Sequence, residues 1–258
     1  MSQQVDKEKP SGSDKLKASS MGKALKRVFR QEDLLKKIEP QPATESFLMS
    51  EARRKIFQHL CQNPCDHVRG VAKAVGTSAP ASGWQLNALK KAYLLESITL
   101  RRKKVYWPMD MLDYQDIPVA EIFRREWAGQ LLALTLGAQK GGITESEAVE
   151  ELRESQQKVN NWLGLMTMVG ILAKSGAGRG ARYKISSDFI KKVKYYEARA
   201  EGYSVFLLVL VETDGLIPKS PRLTGTTLSV SIKLPSGRQR LRLECNPLAS
   251  ASRMLKYA

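Results

Sequence analysis

Four residues with metal-binding or redox-active side chains fall within one short stretch of the 258-residue chain: His59, Cys61, Cys65 and His67. Imidazole nitrogens and thiolates are ligands that zinc prefers, and two nearby thiols can respond to redox state. On a helix, His59 and Cys61 would face different sides because they are two positions apart. We therefore favour packing roles for these side chains and keep a sensing site of Cys61, Cys65 and His67 as the alternative. No cofactor is predicted.

A second group of residues is suited to binding phosphate. Four consecutive cations separate two short runs of alternating apolar and polar residues, 97–100 and 105–107. They are Arg101, Arg102, Lys103 and Lys104. The pattern predicts a two-stranded ribbon with a wholly cationic tip. Because like charges repel at this range, a polyanionic partner explains the tip better than a solvated surface does.

The overall charge points to the same class of partner. The formal net charge is +16, whereas the hydrophobic fraction of 42% is ordinary for a chain with a folded core. A surface this basic attracts polyanions and releases their counterions on binding. Nucleic acid is the leading partner and anionic lipid is the second.

No catalytic constellation is visible in the sequence. The chain has no glycine-rich phosphate loop that ends in Lys-Ser or Lys-Thr after a strand, and it has no Ser/His/Asp signature. The glycines of 176–180 follow a helix and lie between two predicted strands, which is typical of a turn. We predict that the chain is not an enzyme.

The N-terminal residues divide into two segments. Residues 1–20 are polar and basic and are predicted to be a disordered tail. Residues 21–42 are predicted to form a basic amphipathic helix and a proline-containing linker. We expect this helix to pack on the main body or on a dimer partner, and a membrane surface is the alternative.

Residues 45–113 are predicted to form a first winged helix domain. Ser50 can cap its first helix, and Asn63-Pro64 ends that helix. A short second helix from Asp66 leads to a turn at Gly76-Thr77-Ser78, where glycine tolerates a positive φ. A third helix follows, and the cationic ribbon closes the domain.

Residues 117–186 are predicted to repeat this order as a second winged helix domain. One long helix is expected over 119–136. Thr144 and Glu147 have the spacing of a capping box for the next helix, and Ser155 opens the third. A ribbon with a glycine-rich tip follows.

Residues 187–258 are predicted to be a dimerisation or accessory region. A basic helix is expected at 189–200, a hairpin at 228–245 and a final helix that reaches Tyr257. Periodicity does not assign the apolar run 203–211 to helix or strand. On the hairpin, one face carries Arg238, Arg240 and Arg242, which either extends a DNA footprint or forms a dimer interface.

The predicted fold class is therefore mainly α with small β wings (α+β), with tandem winged helix-turn-helix domains and a small C-terminal α/β extension. Three cysteines and a charged N-terminus fit a cytoplasmic protein without a signal peptide. Binding to DNA would make it nucleoid-associated. The longest apolar run, 205–211, is too short to span a bilayer.

Residues 56–108 resemble archaeal winged helix-turn-helix transcriptional regulators related to the ArsR and MarR groups. The matching positions are Asn63-Pro64, His67 with Arg69 and Ala72, Trp84 with Leu86, and Tyr106 to Pro108. The resemblance covers about a fifth of the chain. The sequence departs from the pattern at Cys65, where glycine is usual, and at Gln85, where histidine is usual.

The resemblance implies that the third helix of each unit lies in the major groove and that each wing contacts phosphates or the minor groove. In the first unit the implied residues are Ser78, Ser82, Gln85, Lys90 and Lys91, together with the cationic tip. In the second unit they are Ser155, Gln156, Gln157, Lys158, Asn160, Asn161, Arg179 and Arg182. The four tryptophans, Trp84, Trp107, Trp127 and Trp162, are expected in the core.

The predicted function is sequence-specific binding of double-stranded DNA as a transcriptional regulator. A homodimer and contacts with the transcription machinery are expected by analogy. One alternative is a replication initiator or an architectural chromosomal protein. Another is a scaffold whose winged helices bind protein, and the cationic tip favours DNA over this scaffold.

Overall fold

The computed structural model of this protein describes residues 46–138 and 141–256, and at position 179 it describes the backbone alone. These residues belong to one compact unit. The predicted tail 1–20, the predicted helix and linker 21–42, and Tyr257 lie outside the described residues. Within the described ranges, no helix has both the length and the apolar character needed to cross a membrane.

The first helical layer forms where apolar residues recur at helical spacing. Helix α1 (Glu51–Gln62) buries Ile56, Phe57 and Leu60. A short strand β1 (Asp66–His67) leads into α2 (Val68–Val75), which ends at Gly76 with a φ of 72°. Helix α3 (Ala79–Lys91) begins at Ser78, whose hydroxyl accepts a hydrogen bond from the Ala81 N–H. The predicted order of three helices is therefore present.

A small antiparallel sheet completes this first unit. Strand β2 (Leu95–Leu100) pairs with β3 (Lys103–Pro108), and β1 pairs with the other edge of β3. The strand order is β1-β3-β2. Trp107 on β3 is fully buried against the helices. The sheet thus closes one side of the helical core and projects the β2–β3 turn outward as a wing.

The second unit begins with two helices where one was predicted. Helix α4 (Ile117–Phe123) and α5 (Glu126–Gly137) are separated at Arg124 and Arg125. Arg125 has an extended backbone, and its N–H bonds to the carbonyl of Ile122 instead of continuing the helix. The predicted single helix 119–136 is wrong. The break turns Arg124 toward the first unit, where it pairs with Asp66 at 2.6 Å.

The rest of the second unit repeats the first. Strand β4 (Ile143–Thr144), α6 (Glu145–Leu152), α7 (Gln156–Met168), β5 (Leu172–Ser175) and β6 (Arg182–Ile185) follow in order. The sheet order β4-β6-β5 matches that of the first unit. Helices α6 and α7 and strand β5 begin 77 positions after α2, α3 and β2. The capping box of Thr144 and Glu147 is present, as predicted.

The C-terminal region contains one long helix that the sequence suggested only in part. Helix α8 (Ser187–Thr213) joins the predicted helix 189–200 to the unassigned run 203–211. The predicted hairpin is confirmed as β8 (Thr227–Leu234) and β9 (Gly237–Glu244). A further strand, β7 (Pro218–Thr224), adds to its edge, and α9 (Ala249–Lys256) ends the described chain. The α+β fold class is confirmed.

Helix α8 fixes the first unit at two places. Near its middle, Tyr196 donates a hydrogen bond to Asp116 at 2.8 Å and accepts one from the Asp113 N–H at 3.0 Å. At its C-terminal end, Asp214 accepts from the N–H groups of Phe47 and Leu48. These contacts hold the wing-bearing unit on a long helical support.

Candidate nucleic-acid interface

The tip of the first wing has an unusual backbone. Arg101 and Arg102 form the two-residue turn between β2 and β3, with φ angles of 48° and 65°. Hairpin turns of this kind favour Asn-Gly because a bulky residue at positive φ is strained. Two arginines therefore occupy a turn that Asn-Gly would form with less strain.

The other two cations of the tip lie at the start of β3. Lys103 pairs in register with Leu100 and Lys104 with Thr99, and both lysines are exposed. The Lys104 ammonium lies 5.5 Å from the centroid of the Tyr106 ring. Across the described parts of the chain, no carboxylate forms an ion pair with residues 101–104. Their charge is therefore available to a partner.

Helix α3 presents one side to solvent and buries the other. Ser82, Leu86 and Leu89 are buried at 3- and 4-residue spacing. The opposite side carries a stripe at the same spacing, made of Pro80, Trp84, Asn87 and Lys91. Lys90 is exposed beside it. We call these four residues the α3 stripe.

Trp84 is the largest exposed side chain of the α3 stripe, with 65% of its surface accessible. The prediction that all four tryptophans lie in the core is wrong for this one. Trp107 is buried as predicted, and Trp127 and Trp162 are half-buried and stack with their ring centroids 5.0 Å apart. The prediction rested on the apolar character of Trp84 alone. It did not take into account that Leu86 and Leu89 already form the buried side of α3.

The three predicted base-reading residues at α3 all have hydrogen-bond partners within the chain. Ser82 is fully buried, and its hydroxyl lies 2.6 Å from that of Thr77, so its prediction as a DNA contact is wrong. Gln85 is half-buried, and its amide oxygen accepts a hydrogen bond from the Arg53 Nε at 2.7 Å. Ser78 is exposed, with its hydroxyl used as the helix cap.

Helix α7 of the second unit has the same inward and outward pattern. Val159, Leu163 and Met166 are buried, each 77 positions after a buried residue of α3. All of the predicted contact residues of α7 are exposed: Ser155, Gln156, Gln157, Lys158, Asn160 and Asn161. Lys158 pairs with Glu154 at 2.9 Å. Asn161 takes the position that Trp84 has in α3.

The second wing differs from the first in its charge. Its tip, 176–181, consists of glycine and alanine apart from Arg179, of which the structure describes only the backbone. Arg182 is exposed, but its guanidinium donates a hydrogen bond to the Gly142 carbonyl at 2.9 Å, back on the sheet. The second wing therefore places less cationic charge at its tip than the first does.

The cysteine and histidine cluster has a structural explanation. Cys61 and Cys65 are buried free thiols, and burial raises the pKa of each, which opposes thiolate chemistry. His59 and His67 both bond to the Asp66 carboxylate, at 2.8 and 2.9 Å. In the residues that the structure covers, no group of three or more potential ligands is placed to hold a metal ion.

Asp66 joins the two units through its carboxylate. Burial alone would raise the pKa of Asp66, but hydrogen bonds from the two histidines and the charge of Arg124 outweigh burial and lower it. Arg124 also donates to the Cys65 carbonyl at 3.1 Å. A Cβ at Gly70 would collide with the Asp66 side chain, so this position must remain glycine for the carboxylate to fit.

Comparison with known proteins gives a partial sequence match. No family model matches the chain. An uncharacterized HTH-type transcriptional regulator of Methanocaldococcus jannaschii is 32% identical over 147 residues, which cover 57% of this chain and 36% of that protein. The chain thus matches little more than a third of the relative's length.

Two solved structures show weak similarity. The mRNA-binding domain of elongation factor SelB from E. coli, in complex with SECIS RNA, has 17% identity and a TM-score of 0.24, covering 54% of this chain and 99% of that one. The transcriptional regulator SlyA has 13% identity and a TM-score of 0.24, covering 56% and 97%.

Proposed function

We propose that this protein is a sequence-specific DNA-binding transcriptional regulator that contacts duplex DNA through its first unit. The observation that carries the proposal is the left-handed turn at Arg101 and Arg102 beside two more cations without ion pairs. The curated relative's name, an HTH-type transcriptional regulator, supports the same class of function. The proposal assigns the chain no catalytic activity.

The contacts divide between affinity and specificity. The cationic tip and Lys91 would meet phosphates, which position the protein but do not read sequence. Trp84 and Asn87 lie on the α3 stripe, where apolar contact with a thymine methyl and an amide pair with adenine give base discrimination. The amide nitrogen of Gln85 would add a donor beside them.

The second unit would read a different set of bases. Its exposed Gln157 and Asn161 occupy the positions of Pro80 and Trp84, so amides replace apolar groups at the same places on the helix. Its weaker wing would contribute less to affinity. A homodimer would pair such sites on a two-fold operator. A cytoplasmic, nucleoid-associated location follows from this role.

Selection of bound duplexes from a random pool, at two salt concentrations, tests the proposal. We expect one motif to be enriched at both salt concentrations, with less DNA retained at the higher one. Trp84→Ala should alter the preferred base at one or two positions of the motif, while Ile217→Ala, another exposed apolar residue, should leave the motif unchanged. Enrichment of no motif at either salt concentration would overturn the sequence-specific role.

A genome-wide footprint then separates the possible roles of a DNA-binding chain. Dispersed promoter sites support a regulator. A single origin-like cluster supports an initiator, and uniform coverage supports an architectural protein. Absence of DNA binding would favour the protein-docking scaffold.

A further inference from the structure

The solvent face of the C-terminal sheet is covered with cations. In cross-strand register, Ser231 lies between Lys219 and Arg240, and Ser229 lies between Arg222 and Arg242. Lys233 is opposite Arg238. Residues paired across strands share a face. We call the six cations the cationic sheet face: Lys219, Arg222, Lys233, Arg238, Arg240 and Arg242.

The charge of this face is not neutralised by neighbouring residues. All six side chains are exposed, and none forms an ion pair with any residue that the structure describes. The three strands contain one acidic residue, Glu244, which is buried and accepts hydrogen bonds from the backbone N–H groups of Cys245 and Asn246. Like charges paired across strands are destabilising. A polyanion on this face would offset that repulsion.

The opposite face of the same sheet explains why the cations cannot turn inward. Leu228, Val230 and Ile232 alternate with the outward residues of β8 and are buried, as are Leu241 and Leu243 of β9. With strands about 4.8 Å apart and alternate residues about 6.8 Å apart, the cations are spread over the face of the sheet. Such a spread suits an extended polyanion better than a small anion.

The cationic sheet face continues toward the helix-turn-helix. A groove of about 590 Å³ lies between β9 and the first unit, with Arg240 and Arg242 on one side. Lys55 and His59 of α1 and the last residues of α2, Ala74 and Val75, form the other side. Helix α2 ends at Val75, three positions before Ser78 caps α3. The groove therefore links the sheet to the turn that precedes α3.

We propose that the cationic sheet face binds the phosphodiester backbone of duplex DNA next to the segment that α3 reads. The inference rests on the proposed function of the first unit, since both surfaces would hold one duplex. The sheet would add affinity without sequence preference, because contacts with phosphates position a protein on DNA but do not read its bases. It would thereby lengthen the footprint of the protein on DNA.

The test compares two full-length triple variants that each remove three exposed charges. Arg238→Gln, Arg240→Gln and Arg242→Gln neutralise the sheet face, while Lys191→Gln, Lys194→Gln and Arg253→Gln are the control on α8 and α9. Affinity is measured over a range of salt for the selected motif alone and for the motif extended by one helical turn on each side. A second sheet variant carries Lys219→Gln, Arg222→Gln and Lys233→Gln. It tests the same face with other residues, in case the first sheet variant does not fold.

We expect both sheet variants to bind the extended duplex less tightly than the control does. The slope of log affinity against log salt should become shallower by about 0.9 for each phosphate that is no longer neutralised, or up to about 2.7 for three phosphates. Binding to the short duplex should change little, and the selected motif should stay the same.

Three results would overturn the inference. One is a slope equal to that of the control for both sheet variants, with wild type still bound to duplex DNA. Another is an equal weakening on the short and extended duplexes. The third is a sheet-dependent binding to anionic phospholipid vesicles without any change on DNA, which would assign the face to a lipid surface. Failure of the proposed function itself is distinguishable, because wild type would then show no duplex preference.

Discussion

Arg53 of α1 donates a hydrogen bond from its Nε to the amide oxygen of Gln85 on α3, at 2.7 Å. The same guanidinium lies 5.8 Å from the centroid of the Trp84 ring and 5.2 Å from that of Phe47. One arginine thus contacts two neighbouring side chains of α3. The Gln85 oxygen is thus occupied within the protein, and in the proposed function only its amide nitrogen remains to contact DNA.

Replacing Arg53 by methionine should change specificity more than stability. The variant keeps an unbranched stem and removes the donor, so the free energy of unfolding should fall by only about 0.5–1.5 kcal/mol. The Gln85 amide would then be free to rotate, and the base preference of the selected motif should relax at one position. Denaturant unfolding and duplex selection measure the two effects. An unchanged motif would show that the Arg53–Gln85 bond does not constrain recognition.

Replacing Arg101 and Arg102 by Asn and Gly should separate stability from binding. Asn-Gly suits the left-handed turn, so the variant should be more stable by about 1 kcal/mol. Removal of two charges should weaken duplex binding and make its salt dependence shallower by up to about 1.8. Thermal unfolding and titrations over a range of salt measure these effects. A variant that is less stable, or that binds as tightly as wild type, would contradict the role given to the turn.

Asp66→Asn should destabilise the protein in a pH-dependent manner. Because the folded state lowers the pKa of Asp66, its carboxylate stabilises the fold fully above the pKa of the unfolded chain, near 4, and loses this effect as pH falls through the folded value. We expect a decrease of about 3 kcal/mol in the free energy of unfolding at neutral pH, since Arg124 is left without a buried partner. The difference from wild type should shrink below about pH 4. A difference that stays constant with pH would contradict this account.

Tyr196→Phe should loosen the support of the first unit on α8. The hydroxyl links the buried Asp116 to the Asp113 backbone, so its removal should cost about 1–3 kcal/mol in denaturant unfolding. Tyr195→Phe is the matched control, because its hydroxyl makes a longer contact of 3.2 Å in a less buried position. Its cost should stay below about 1 kcal/mol. Equal costs for the two variants would argue against a specific role for Tyr196.

The elements that the sequence predicts well carry their signal locally. Gly76 takes the left-handed conformation that the turn requires, and Thr144 and Glu147 form their capping box. The cationic ribbon consists of β2 and β3 joined by a two-residue turn. Such features need only neighbours in the chain, so a single sequence contains them.

The predictions from sequence fail where contacts between residues distant in the chain determine the structure. At the break before α5, Arg124 pairs with Asp66 in the other unit, a contact between distant residues that no local pattern shows. Helix α8 buries one face at helical spacing, which includes Tyr203, Leu207 and Leu210. Its run 203–211 does not show the helical period because the less buried positions Val205, Phe206 and Leu208 are apolar as well. Strand β7 has a bulge between Lys219 and Arg222 and no clear alternation.

The sequence predicted the charged residues of the candidate site better than it predicted which way the side chains of α3 point. The tip 101–104 lies on the wing as predicted, and Lys90 and Lys91 are exposed. Ser82 was predicted to be exposed and is buried, whereas Trp84 was predicted to be buried and is exposed. The two residues are two positions apart, so they face different sides of the helix. The exposed Trp84 could have been found from the spacing of Leu86 and Leu89, which already supply the inward side.

The salt dependence of duplex binding by a tip variant tests the central claim most directly. Arg101→Gln, Arg102→Gln, Lys103→Gln and Lys104→Gln would be compared with wild type and with the control that lacks Lys191, Lys194 and Arg253. The account predicts weaker binding by the tip variant alone and a slope shallower by about 0.9 for each phosphate that the tip no longer neutralises. If affinity and slope matched those of the control, the first wing would not be a DNA-binding element, and a protein-docking role would take its place.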